Sequence, residues 1–143
     1  MKRLFFALLL SAAPVFAEVS DRELFASLLI LEAAGEGERG MHAVANVVHN
    51  RAVKRDSTYR QEILRSKQFS SVTGKTTQEM VNRARKDRNW KKALDISDRE
   101  FTGWLPDITN GATHFHSGSS VWWSGHMRRT ARVGKHLFYV ERL

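Results

Sequence analysis

Apolar residues crowd the segment from Leu24 to Leu31, with Ser20 and Glu23 spaced ahead of it as a helix N-terminal capping box and Gly35 behind it as a stop. This pattern predicts a helix buried on most sides, with Glu32 in its last turn. After Gly40, the residues Met41, Val44, Ala45, Val47, Val48 and Ala52 recur at intervals of three and four, which predicts a second helix ending near Lys54. Thr58 and Gln61 form another capping box, opening a short helix through Ile63 and Leu64. The polar stretch from Ser66 to Thr76 reads as loop and carries Gln68-Phe69-Ser70. From Thr77 to about Ile96, apolar positions separated by basic residues predict one long or two consecutive amphipathic helices. Beyond Gly103-Trp104-Leu105-Pro106 the pattern changes. Ala112 to His116 alternates and His136 to Val140 is β-branched and aromatic, so both read as short strands, while the glycine- and serine-rich segment between them reads as a long surface loop. The fold class is α+β: one mostly helical domain with a small β element near the C-terminus.

The N-terminus alters the picture of where this domain begins. Lys2 and Arg3 precede an apolar run from Leu4 to Leu10, then small residues, Pro14 and Ala17. That is the plan of a secretory signal peptide over residues 1–17, leaving 18–143 as the domain. An uncleaved anchor starts in the same way, but the run is shorter than the ~20 residues a span needs, and no later segment could cross a bilayer. Export to the periplasm or the outer face of the cell is the expectation.

Lysine and arginine total 23 against 15 acidic residues, a net charge of +8, and the chain stays basic after losing two cations with the leader. An anionic partner is implied: nucleic acid, or the anionic polymers an exported protein meets, among them peptidoglycan with its peptide carboxylates. The basic group Arg83, Arg85, Lys86, Arg88, Lys91 and Lys92 reads more simply as a solvated helix face than as a nucleic-acid platform. No cysteine is present, so neither disulfides nor zinc–thiolate sites enter.

Cleaving a glycosidic bond needs a carboxylic acid that holds its proton near neutral pH. Glu32 follows four apolar residues, whose desolvating effect would raise its pKa. The plain alternative is a glutamate facing water or paired with an arginine.

Several short motifs in order decide how this residue is read. Glu32-Ala33-Ala34-Gly35-Glu36-Gly37, Gly40, Ala43 to Val48, Asn50-Arg51, Gln68-Phe69-Ser70, Gly111 to His116 and Gly134 to Tyr139 together resemble the bacterial cell-wall hydrolase family typified by spore cortex-lytic enzymes, over roughly Leu24 to Tyr139. The resemblance implies a lysozyme-like domain acting on peptidoglycan glycan strands, between N-acetylmuramic acid and N-acetylglucosamine. It also implies lytic transglycosylase chemistry without a cofactor, in which one glutamate protonates the leaving oxygen and then takes the proton of the muramyl C6 hydroxyl, giving a 1,6-anhydro end. A second carboxylate is not obligatory. Glu32 is the expected acid and Glu36 a supporting carboxylate that orients it, stabilises positive charge in the transition state or serves the turn.

For the substrate, Gln68 and Ser70 offer hydrogen bonds to acetamido or hydroxyl groups, and Phe69 offers an apolar wall or an anchor on the core. His114 and His116 face the same way on a strand, lining the cleft, serving structure or, with a third ligand, holding a metal; no H-E-x-x-H accompanies them, and no metal is expected. Of Trp122 and Trp123, one packs inward and the other meets solvent or sugar, Trp122 being the candidate for substrate. Asn50 is a cap or a cleft residue. Other readings are a hydrolytic muramidase, a noncatalytic peptidoglycan-binding module and, least, a nucleic-acid binder. Spacing says nothing of oligomeric state.

Overall fold

A computed structural model describes residues 17–143; the expected signal segment, apart from Ala17, lies outside the described residues. The first helix, α1 (Asp21–Ala33), begins where the capping box places it, the Ser20 hydroxyl accepting the Glu23 N–H. Its residues Leu24 to Ile30 are all buried, because α2 (Gly37–Arg55), α3 (Tyr59–Leu64), α4 (Thr77–Ala84) and α5 (Trp90–Phe101) pack around it. Leu24, Leu28 and Leu29 are fully enclosed, each worth roughly 1.5–3 kcal/mol relative to exposure. Among the described residues, no helix is long and apolar enough to cross a membrane.

The expected capping box at Thr58 forms and Thr76 opens α4 with another, each threonine hydroxyl accepting the N–H three residues on while that residue's side chain reaches back. The basic region between Thr77 and Phe101 is two helices, not one. α5 continues past the expected end at Ile96, because Glu100 is buried rather than solvated. Its carboxylate accepts the Tyr59 hydroxyl and contacts the His49 ring, both at 2.6 Å, and binds α5 to α2 and α3. Burial and the adjoining Glu100 carboxylate together push the Tyr59 hydroxyl pKa well up.

The sheet has the order β1-β3-β2, all antiparallel, with β1 (His114–Ser117), β2 (Met127–Val133) and β3 (His136–Glu141). β2 corrects the expectation of a long loop between the two strands. Its sequence, Met-Arg-Arg-Thr-Ala-Arg-Val, hides the period of two under three arginines. A β-bulge at Thr130, between Arg129 opposite Tyr139 and Ala131 opposite Phe138, breaks the alternation further. One sheet face, with Phe115, Ala131, Val133 and Phe138, packs on Ala43 and Val47 of α2.

A second correction concerns the start of α2, which begins at Gly37, so that Gly40 lies inside the helix. The side chain of Glu36 lies over Gly40, where any Cβ would collide with the Cβ of Glu36. We expect Gly40→Ala to destabilise the domain by about 1–3 kcal/mol, as overpacking does. A fall in the urea midpoint at unchanged slope checks this; an unchanged midpoint counts against the contact.

Candidate active site

Glu32 stands in the last turn of α1, half-buried, where the apolar run ends and a short 3-10 turn (Ala34–Glu36) redirects the chain into α2. The Ser71 hydroxyl, from the α3–α4 loop, donates a hydrogen bond to Glu32 Oε1. The loop is held in place by Phe69, which is buried and sits between the Arg51 guanidinium, 5.0 Å from its ring centroid, and Phe115 of β1, at 6.5 Å. Phe69 thus anchors the loop to the core.

Arg51 is almost wholly buried, and its Nε donates to the Thr113 carbonyl at 2.6 Å. Burial, then the neighbouring Arg55, push its pKa down to about 10, while the fields of Glu62 and Glu32 oppose the fall. It remains cationic at neutral pH. Glu62 is equally enclosed and accepts from Ser57, Arg55 and Arg65 at 2.6–2.8 Å; although burial pushes its pKa up, these donors outweigh it and hold the carboxyl below the usual range.

Glu36 turns the other way. Its Oε2 accepts the backbone N–H of Lys135 at 3.0 Å, across the turn between β2 and β3. Gly134, at φ 57°, leaves the space this carboxylate occupies, since a Cβ there would overlap Oε2. Glu36 therefore fastens the β-hairpin to the α1–α2 junction. His136, the next residue in β3, is buried against Phe115 with ring centroids 5.2 Å apart, and its Nδ1 has no hydrogen-bond partner among the described residues. Burial pushes its pKa down, while the carboxylates of Glu36 and Glu32 oppose that fall.

The structure thus gathers Glu32, Ser71, Glu36, His136, Arg51 and Phe69 where the end of α1 meets the sheet. Other candidates lie elsewhere. Gln68 accepts a hydrogen bond from Arg55 at 3.1 Å, and Ser70 is exposed; the hydroxyl that meets Glu32 belongs to its neighbour, Ser71. His114 and His116 share one sheet face, as their spacing predicts, but it is the face opposite that of Phe115 and Phe138. There they flank Trp123, each 5.5 Å from its ring, and His116 Nε2 contacts the Tyr139 hydroxyl at 3.1 Å. Trp122 is 86% exposed while Trp123 packs, the division that adjacent residues predict. Asn50 ties α2 to the turn before β1, donating to the Ala112 carbonyl at 3.0 Å and to Asp107 at 3.2 Å. Among the described residues, no three histidine or acidic side chains converge as a metal-binding group.

Ser71 carried no signal of its own in the sequence, lying one position beyond a motif. His136 and Arg51 fell within quoted motifs but had no assigned part; their signal was a charged or titratable residue within an apolar segment.

These elements form a mostly helical domain with a three-stranded antiparallel sheet closing one side, and comparison with known proteins gives the family. Residues 35–139 match the Cell Wall Hydrolase family, and the chain belongs to it. Glu32 itself precedes the matched span. Two solved structures share the fold. The catalytic domain of the germination-specific lytic transglycosylase SleB from Bacillus anthracis superposes with a TM-score of 0.66 at 21% identity, covering 88% of this chain and 100% of that one. The catalytic domain of the Bacillus cereus SleB protein gives 0.64 at 21%, covering 88% and 95%. No curated protein sequence matches the chain.

A pH prediction follows from the histidines. Burial lowers the pKa of both His136 and His114 below the ordinary value of about 6.5, so below that pH the unfolded chain binds more protons than the folded one. Stability should be full above about pH 6.5 and decline as pH falls through the lowered values. His136→Gln should flatten that decline in urea midpoints measured from pH 7.5 to 5; an equal slope in both chains would remove His136 from the account.

Proposed function

We propose that the chain cleaves peptidoglycan glycan strands between N-acetylmuramic acid and N-acetylglucosamine as a lytic transglycosylase, with Glu32 as both acid and base. The observation that carries this reading is the contrast between Glu32 and the other enclosed carboxylates. Glu62 accepts from three donors on its two oxygens, Glu100 accepts the Tyr59 hydroxyl beside the His49 ring, and Glu36 accepts a backbone N–H, whereas Glu32 receives one hydroxyl, on one oxygen.

Ser71 donates to Oε1, which leaves Oε2 as the oxygen that exchanges the proton in this mechanism. Glu32 passes that proton to the glycosidic oxygen as the C1–O bond breaks and the leaving sugar departs as an alcohol. The muramyl C6 hydroxyl oxygen then bonds to C1, and its proton returns to the carboxylate, so the glutamate ends as it began and no water is consumed. Glu36 supports Glu32 by fixing the junction that carries it. The lytic transglycosylase activity named for the Bacillus anthracis structure is in keeping with this chemistry, as is export through a signal peptide at residues 1–17, which brings the domain to the cell envelope.

Mass spectrometry of purified peptidoglycan digested by the mature chain tests the proposal. Anhydromuramic ends are expected, and Glu32→Gln should lower the rate by about 10²–10⁴-fold, as loss of a general acid does. Reducing muramic ends would instead assign a hydrolytic muramidase, and full activity in Glu32→Gln would remove Glu32 as the acid.

A further inference from the structure

In an unbroken strand, residues three apart point to opposite faces. The bulge in β2 overrides this. Arg129 pairs with Tyr139, Thr130 is the extra residue, and Arg132 comes opposite Leu137. Tyr139 and Leu137 are two apart on β3 and share a face, so the two arginines are turned to that face together. With Lys135 from the β2–β3 turn, Leu137 and Gly118, they line an open cavity of about 270 Å³.

All three cationic residues are exposed, and none has a carboxylate partner among the described residues. Arg132 Nε donates to the Gly134 carbonyl at 3.2 Å, which ties its guanidinium to the turn. Three like charges around one concavity repel unless an anion joins them, and the fork of a guanidinium matches the two oxygens of a carboxylate.

We propose that this cavity is an oxyanion subsite that takes a carboxylate of the peptide stem borne by the glycan strand. The inference rests on the reading of that strand as substrate. Placement favours the stem: Lys135, one wall of the cavity, is the residue whose backbone N–H meets Glu36, and Glu36 lies four residues from Glu32. Glu36 and the cavity therefore adjoin the same turn, with the arginines on the Tyr139 face of the sheet, opposite Phe115 and Phe138, so that the stem of a strand seated at Glu32 reaches them around that turn.

The test measures binding in the mature chain carrying Glu32→Gln, with and without Arg129→Gln and Arg132→Gln together. Each chain is co-sedimented with peptidoglycan freed of phosphodiester-linked polymers, and with the same material stripped of its stems by an amidase. On stem-bearing material the arginine replacements should weaken binding about tenfold at low salt, a difference that shrinks at about 0.5 M salt. On stripped strands, binding and melting temperature should match the parent. Equal binding of the two chains to stem-bearing material, an equal loss on both materials, or a loss seen only when phosphodiester polymers are left in place would each overturn the proposal. Because binding is read without catalysis, a failure of the cleavage reading shows separately, as an unmutated chain that binds but releases no glycan fragments.

Discussion

One hydrogen bond holds the parts of this site in register: the Glu36 carboxylate accepting the Lys135 N–H across 99 residues of chain. It exists because two glycines make room for it, Gly40 beneath the Glu36 side chain and Gly134 beside its oxygen. The contact joins the α1–α2 junction, where Glu32 ends its helix, to the turn of the β-hairpin. From that junction follow the position of His136 against Phe115 and, through Phe115, the seat of Phe69 and of the loop that brings Ser71 to Glu32. A carboxylate accepting a backbone N–H makes a charge-assisted bond, stronger than one between two neutral groups.

The number of donors separates Glu62 and Glu100 from Glu32, the proposed acid. Glu62 and Glu100 are among the most deeply enclosed carboxyls of the chain, yet each is surrounded by arginine, serine, tyrosine or histidine donors that fix α2, α3, α5 and the adjoining loop. Burial alone therefore does not mark the acid. Glu32 is less enclosed than either, and it differs in being left mostly unsatisfied, which is the condition of a group that must exchange its proton.

The helical half of this arrangement was legible in the sequence because its signals are local. Ser20 and Thr58 mark helix starts through bonds within a few residues, and the Leu24–Leu31 run states its burial outright, whereas the left-handed glycine after α1 is Gly37, at φ 69°, and not Gly35, which lies within the 3-10 turn. The sheet was half legible. β2 was hidden by arginines and by a bulge whose effect on side-chain direction depends on its partner strand. α5 was cut short because Glu100 reads as polar surface when its partners, His49 and Tyr59, lie 51 and 41 positions away. Within the candidate site, Glu32 and Glu36 were proposed from motif, while Ser71, Arg51 and His136 come beside them through contacts between distant segments, which spacing does not encode. The histidine pair at 114 and 116 shows the converse: alternation gave their shared face correctly but not which face meets the acid.

We propose that Glu36 places the acid while Glu32 is the acid, and the rate of glycan cleavage by Glu36→Gln tests this most directly. Glutamine keeps a carbonyl oxygen for the Lys135 N–H and removes only the charge. The account predicts that this variant retains activity within about tenfold of the parent, consistent with exchanging one hydrogen-bond acceptor for a weaker one. A variant as inactive as one lacking the Glu32 carboxylate, with its fold intact, would contradict it.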